Sequence, residues 1–420
     1  MMTGVNGTLL VPGDKSISHR SIIFGAMCQG QTTIDNFLDS ADCNTTIEAF
    51  KAMGVAIHKN AQQVIINSTG KLTAPTKPLN MGNSGTTTRL MMGLLSAQPF
   101  DTQLVGDASL SKRPMRRVAQ PLQQMGAKIN TSVNGTLPVK ITGQQLHGME
   151  YTMPVASAQV KSAIMLAALK ANDNTEITEP TPSRDHTERM LKMFSPDSIE
   201  KHAQVIQIKP NCKMIPQHLT VPGDISSAAF WIVAATILPN SHITLKKVGI
   251  NPTRMGLVNV MKRMGADISI INQSNTAEPI ADIVVKSASL QPVALDAKEV
   301  PALIDEAPLL ALLAARANGV SKLQHLSELR FKESDRIRVI VQEFQKMGIA
   351  IKELSDGFEI DGSKAWRLQS NQLDSHQDHR IAMTLKIASQ FFDTEIGIKD
   401  ADCVNISYPT FFNDLKQLRS

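Results

Sequence analysis

The sequence predicts an α/β protein of two similar lobes, each built from three α/β units, and three observations carry that expectation. At 420 residues the chain is too long for one ordinary core, so two or three domains are expected. A pattern of helix, Met-Gly and strand recurs about every seventy residues. The tetrapeptide VPGD stands at 11–14 and again at 221–224, 210 positions on and half the chain away.

The units read alike. They are EAFKAMGVAI at 48–57, PLQQMGAKI at 121–129, NVMKRMGADISI at 259–270 and EFQKMGIAI at 343–351, with a degenerate copy, ERMLKMFSPDSI, at 188–199. Their methionines, Met53, Met125, Met193, Met264 and Met347, are 72, 68, 71 and 83 residues apart. Glycine adopts the left-handed conformation that ends a helix, and the isoleucines and valines that follow favour a strand. Six such units fill the chain. The expected path begins in one lobe, crosses near Gly13 and crosses back near Gly223. Residues 1–12 plus 225–420 then form one lobe and 13–224 the inserted one. Proline and glycine at both crossings suit a tight passage.

Composition narrows the function. Apolar residues make up 42% and charged residues 19%, as in a folded globular chain. Two Trp, two Tyr and 13 Phe are too few for base-stacking platforms, so no nucleic-acid partner is expected. The net charge of +5 suits small acidic ligands. Cys28, Cys43, Cys212 and Cys403 are scattered without metal-ligand spacing. No run approaches the ~18 apolar residues of a membrane span, and the first residues lack the pattern of a secretion signal. A reduced, cytoplasmic protein without a membrane partner is expected.

The polar motifs share one placement, just ahead of an apolar run of helix length. They are DKSISHR (14–20), GNSGTTTR (82–89), SAQVKS (157–162), PSRDHTER (182–189), LIDEAP (303–308), FKESDRIR (331–338) and DHR (378–380). Helix starts offer free N–H groups and a partial positive charge. Cations there run against the dipole, so Lys15, Arg20, Arg89, Lys161, Arg184, Lys332, Arg336 and Arg380 need another reason to be there. Gathering anionic ligands is the simplest, with arginine suited to carboxylate and phosphate. The acids Asp305 and Glu333 would serve in proton transfer, or simply as helix caps. KRPMRR (112–117) reads on its own as a solvated basic face. No nucleotide-binding loop or metal-binding pattern is present in the sequence. A metal-free, nucleotide-free enzyme acting on small polyanions is the reading from the residues.

Taken in order, PGDKSISHR, GNSGTTTR, GDASLSKRP, SAQVKSA, SRDHTERM, KESDRI and DHR resemble the 5-enolpyruvylshikimate-3-phosphate synthase family across residues 12 to 380. The resemblance implies a two-lobed inside-out α/β barrel of six βαβαββ repeats, the enolpyruvyl transferase fold, with the active site in the cleft between lobes. It implies transfer of the enolpyruvyl group of phosphoenolpyruvate to the 5-hydroxyl of shikimate 3-phosphate through a tetrahedral intermediate, with no metal or organic cofactor. A monomer is expected.

Carried over residue by residue, the resemblance implies that Lys15 touches both substrates and acts in catalysis. Ser16, Arg20, Ser157, Gln159, Arg184, Asp305 and Lys332 match shikimate 3-phosphate ligands. Asn83, Gly85, Thr86, Arg113, Gln159, Arg336 and Arg380 match phosphoenolpyruvate ligands. Asp305 matches the proton acceptor for the 5-hydroxyl, and Glu333 the acid that exchanges a proton with C3. The chain departs from the commonest enterobacterial form, which carries GNAGTAMR, an arginine where Ser109 stands and a lysine where Ile406 stands. It resembles instead the second, less glyphosate-sensitive class, with Gly85 leaving room for glyphosate. The rivals are the UDP-N-acetylglucosamine enolpyruvyl transferase and a non-catalytic polyanion-binding protein.

Overall fold

The computed structural model describes residues 4–274 and 277–419. The chain divides into two compact units. One runs from Gly13 to Val221; the other comprises the residues up to Pro12 and from Pro222 on. Each closes its own hydrophobic core.

The unit Gly13–Val221 holds three repeats. The first has helices Lys15–Met27 and Ala41–Ala52 and strands Gln29–Asp35, Ala56–Asn60 and Gln63–Thr69. The second runs through strand Leu79–Asn80, helix Gly85–Ser96, strand Thr102–Val105, helix Arg116–Gln124 and strands Lys128–Asn130 and Val139–Thr142. The third runs through strand Glu150–Thr152, helix Ala158–Ala168, strand Thr175–Thr178, helix His186–Phe194 and strands Ile199–His202 and Val205–Ile208. In the second and third repeats the sheet has the order first, second, fourth, third, with the first pair parallel and the others antiparallel.

In the other unit, the first repeat has helices Ile225–Ile237 and Gly256–Arg263 and strands His242–Gly249, Asp267–Ser274 and Ile280–Lys286. The second has helices Ala307–Ala314 and Arg336–Lys346 and strands Val320–Leu323, Ile351–Leu354 and Gly357–Asp361. Its opening strand is reduced to two parallel bridges, Leu290 to Ala317 and Ala294 to Lys322. In the third, strands Gln372–Asp374 and Gly397–Lys399 form a two-stranded sheet with helices His379–Ala388 and Phe411–Arg419.

Burial separates the two helices of a repeat. Helices Ile225–Ile237 and Ala307–Ala314 are buried at every residue, as an apolar helix packed on all sides must be. The second helices are amphipathic; Arg116–Gln124 buries Val118, Ala119, Pro121 and Leu122 and leaves polar residues outside. The first helices approach one another closely. A Cβ on Gly93 would lie 2.0 Å from the carbonyl oxygen of Ala163 on the neighbouring helix. Helices therefore line the inside of each unit and sheets its outside, which is the expected inside-out α/β arrangement. The Met-Gly endings are as read: Gly54, Gly126, Gly265 and Gly348 have φ of +85°, +90°, +97° and +75°.

The two VPGD segments do something the sequence did not disclose. Strand Asn6–Leu9 stands before the first copy, yet pairs in parallel with His242–Gly249, in the repeat that follows the second copy. Strand His218–Thr220 stands before the second copy, yet pairs with Gln29–Asp35, in the repeat that follows the first. At each copy the chain leaves a strand in one unit and starts or resumes a helix in the other. Asp14 and Asp224 cap those helices, accepting from Ile17 N at 2.9 Å and Ser226 N at 2.8 Å. A Cβ on Gly13 would meet the Asn36 carbonyl oxygen at 2.1 Å, so only glycine fits there. The second boundary falls before Pro222 and not after residue 224, because Gly223 N bonds Lys247 O and Asp224 N bonds Pro12 O.

No helix among the described residues is long and apolar enough to cross a membrane.

Candidate active site

Within the unit Gly13–Val221 the motif residues gather at the starts of the three inner helices. Lys15 and Ser16 open helix Lys15–Met27 behind the Asp14 cap. Gly85 and Thr86 open helix Gly85–Ser96 behind Ser84, whose hydroxyl accepts from Thr87 N at 3.2 Å. Ser157 caps helix Ala158–Ala168, accepting from Val160 N at 3.5 Å, and Gln159 lies in its first turn.

Hydrogen bonds tie these starts together. Gln159 donates through Nε2 to Thr86 Oγ1 at 3.2 Å and accepts at Oε1 from Arg89 Nη1 at 2.6 Å. A buried line of hydroxyls joins the first helix to the second: His19 Nδ1 to Thr46 Oγ1, Thr46 to Thr87, and Thr87 to Ser84, each 2.7 Å. Burial, with help from Lys15 and Arg20, pushes the His19 imidazole well below its usual pKa, so it is neutral in this relay.

Arg20 is buried and aimed by three groups: Nε donates to Thr187 Oγ1 at 2.7 Å, Nη2 to Ser162 Oγ at 3.0 Å, and Nη1 to Ser16 O at 3.0 Å. Lys15 Nζ lies 2.5 Å from Asp42 Oδ2, an acid that sequence reasoning missed. Arg113 Nη2 donates to Asn83 Oδ1 at 2.7 Å and to Ser109 Oγ at 3.3 Å. KRPMRR is thus not one basic face: Arg113 is buried while Lys112 and Arg116 are exposed. Arg184 is half-buried in the loop before helix His186–Phe194, which supplies Thr187.

One expectation is corrected. Lys161 gathers no anionic ligand; it is fully buried, with Nζ 2.9 Å from Glu179 Oε2 and 2.6 Å from Glu188 Oε1. It is the core of an internal charge triad.

In the other unit a second cluster forms around Arg336, the first residue of helix Arg336–Lys346. Its Nε and Nη2 bond the two carboxylate oxygens of Asp378 at 2.8 and 3.1 Å, and Nη2 bonds Glu333 Oε2 at 2.6 Å. Its Nη1 lies 4.0 Å from Asp305 Oδ1, and Lys332 Nζ bonds that same oxygen at 3.2 Å. One guanidinium therefore holds the two candidate proton-transfer acids at different nitrogens. Arg380 Nη1 donates to the Asp305 carbonyl oxygen at 3.1 Å.

Burial opposes the charges of Arg336 and Asp378, but their mutual attraction wins. The guanidinium is held above its usual pKa and the Asp378 carboxyl below its own. Asp378 also caps helix His379–Ala388 through Arg380 N at 3.0 Å, and Asp335 caps the Arg336 helix through Arg338 N at 3.1 Å. The caps are thus Asp335 and Asp378. Asp305 and Glu333 turn their carboxylates toward cations instead.

The EPSP synthase (3-phosphoshikimate 1-carboxyvinyltransferase) family model matches residues 2–415. A 3-phosphoshikimate 1-carboxyvinyltransferase of Lactiplantibacillus plantarum is 50% identical over 99% of this chain and 97% of its own. That of Bacillus subtilis is 44% identical over 99% of this chain and 97% of its own. An EPSP synthase structure from Acinetobacter baumannii superposes with a TM-score of 0.87 at 44% identity, covering 100% of this chain and 96% of its own. The enolpyruvyl transferase NikO from Streptomyces tendae, 16% identical with a TM-score of 0.80 over 99% of this chain and 96% of its own, shares the fold. With its motifs in order, its helix starts bonded together and its full length matched, the chain belongs to the EPSP synthase family.

Proposed function

We propose that the protein is a 3-phosphoshikimate 1-carboxyvinyltransferase, a shikimate-pathway enzyme of aromatic amino-acid biosynthesis. It joins the enolpyruvyl group of phosphoenolpyruvate to the 5-hydroxyl of shikimate 3-phosphate and releases phosphate. The observation that carries the roles is the Arg336 cluster, where two acids, Asp305 and Glu333, share one buried guanidinium with Lys332 beside them. Both substrates carry a phosphate and a carboxylate, which suits the cations of both units.

In this reading Asp305 accepts the proton of the 5-hydroxyl while that oxygen attacks C2 of phosphoenolpyruvate, and Glu333 delivers a proton to C3. The tetrahedral intermediate then loses a C3 proton, and phosphate departs with the electron pair of its C–O bond. Lys15, Ser16, Arg20, Ser157, Gln159, Arg184 and Lys332 hold shikimate 3-phosphate. Lys15, Asn83, Gly85, Thr86, Gln159, Arg113, Arg336 and Arg380 hold phosphoenolpyruvate.

We also assign the chain to the second, less glyphosate-sensitive class. In support, Ser109 takes the place of an arginine and bonds Arg113 at 3.3 Å. Gly85 points the other way: a Cβ there would lie 3.1 Å from Arg89 Nη1 and 3.4 Å from Arg113 Nη1, so glycine keeps room for an anion such as glyphosate. The four cysteines are free thiols, which suits the cytoplasm. Each unit closes its own core, which suits a monomer.

Phosphate release with phosphoenolpyruvate plus either shikimate 3-phosphate or UDP-N-acetylglucosamine tests the reading. Release with the first acceptor alone is expected; release with the second alone would replace it. Asp305→Ala and Glu333→Gln should each abolish turnover in a folded protein, and near-normal turnover removes that residue from the mechanism.

A further inference from the structure

Arg380 is held from one end of its guanidinium. Its Nη1 bonds the Asp305 carbonyl oxygen at 3.1 Å and lies 3.5 Å from Glu306 Oε1. Among the described residues no group bonds its Nε or Nη2, so that edge of the fork has no hydrogen-bond partner within the protein.

Glu306 is only 4% exposed. It stands where a helix cap would, ahead of helix Ala307–Ala314, but its side chain accepts no capping bond. A carboxylate buried without capping needs another partner. Its Oε1 accepts from Ser226 Oγ as well as from Arg380. Ser226 Oγ in turn accepts from Arg254 Nη2 at 2.6 Å, and the same nitrogen lies 3.3 Å from Asp224 Oδ1. A buried polar line thus runs from Asp224, in the second VPGD copy, through Arg254, Ser226 and Glu306 to Arg380. The segment Asp305–Glu306 offers one carboxylate to the Arg336 cluster, and its backbone oxygen and second carboxylate to Arg380.

We propose that Glu306 is a positioning residue for Arg380, itself held by Ser226 and Arg254, and that it sets the guanidinium edge that receives phosphoenolpyruvate. The proposal rests on the reading of Arg380 as a phosphoenolpyruvate ligand. Anchoring one end of the fork spares the ligand the ordering of a mobile arginine. Losing the anchor should therefore act on one substrate and leave the other alone.

The test is initial-rate kinetics on the full chain with both substrates varied, for Glu306→Gln, Ser226→Ala and Arg380→Lys, with thermal melting alongside. Glu306→Gln keeps the shape of the side chain and removes its charge. It should raise KM for phosphoenolpyruvate about tenfold or more, with KM for shikimate 3-phosphate within about twofold and melting little changed. Ser226→Ala should shift the same constant in the same direction by less, and it decides the matter should Glu306→Gln fail to fold. If Arg380→Lys raises KM for phosphoenolpyruvate while neither Glu306→Gln nor Ser226→Ala does, the positioning role is wrong and the reading of Arg380 stands. If Arg380→Lys also leaves that KM unchanged, the reading of Arg380 falls and the role of Glu306 with it. Equal changes in both KM values together with a lowered melting point would make Glu306 merely structural and overturn the proposal.

Discussion

Replacing Lys161 by alanine separates a ligand-gathering cation from an internal one. The side chain is completely buried, with Glu179 and Glu188 against its ammonium at 2.9 and 2.6 Å and themselves nearly inaccessible. Removing it strands two carboxylates in the core, and breaking a buried pair this way costs about 3–5 kcal/mol. For a unit of this size each kcal/mol moves the melting point by about 2–4 °C, so a fall of about 6 to 20 °C is expected. Differential scanning calorimetry at two pH values is the assay. Burial raises the pKa of Glu188 in the folded protein, and Lys161 opposes that rise. An acid whose folded pKa lies above its unfolded one favours folding at low pH and loses that contribution as pH rises through the folded pKa. Without Lys161 the rise is unopposed, so the deficit should be largest near about pH 8 and shrink toward about pH 5. Unchanged melting, with KM for shikimate 3-phosphate raised about tenfold, would refute the reasoning and return Lys161 to the ligand set. An equal deficit at both pH values would refute the account of the triad.

Three further outcomes follow from named contacts. Both Gly348 and Gly265 have positive φ, but a Cβ would lie 2.0 Å from Arg367 O at the first and no closer than 3.4 Å to any group at the second. Gly348→Ala should therefore lower the urea midpoint more than Gly265→Ala, which itself costs roughly 1 kcal/mol; equal losses would contradict the close approach of the Arg367 backbone. Trp231 Nε1 donates to Tyr408 Oη at 2.7 Å in a fully buried pair, so Tyr408→Phe should cost about 1–3 kcal/mol in denaturant unfolding, and a neutral effect would mean that the donor finds another partner. Asp378 has a depressed folded pKa, so its contribution to stability is present above the unfolded value and lost on acidification. Asp378→Asn should lower stability at neutral pH by about 3–5 kcal/mol and flatten the acid limb of the stability curve; an acid limb unchanged from the parent would contradict this.

The parts of the fold legible in the sequence are those governed by local backbone chemistry. Gly54, Gly126, Gly265 and Gly348 announce helix ends because the left-handed conformation all but demands glycine. The exchange of strands at the two VPGD copies was not legible, since nothing in NGTL or HLT names a pairing partner so far along the chain. In the site, the cations were legible as a set because they break the dipole rule together. Their partners were not: Lys161 and Arg336 look alike as cations at helix starts and both are buried against carboxylates, and only the structure shows that the acids around Lys161 are buried with it while Asp305 and Glu333 beside Arg336 are partly exposed. Asp42, Asp378 and Glu306 were missed as partners because an acid near a helix start reads as a cap, which Asp378 also is and Glu306 is not. The second VPGD copy lacks the charges of the first, yet Asp224 turns out to anchor Arg254.

The central claim, attack at C2 of phosphoenolpyruvate with loss of phosphate by C–O cleavage, is tested most directly by an isotope. Phosphoenolpyruvate carrying heavy oxygen in its bridging C–O–P position is turned over with shikimate 3-phosphate, and the products are weighed by mass spectrometry. The account predicts that all of the label leaves in the released phosphate and that the enolpyruvyl ether carries none. Label left on the three-carbon product would mean P–O cleavage, the chemistry of a phosphatase, and would contradict it.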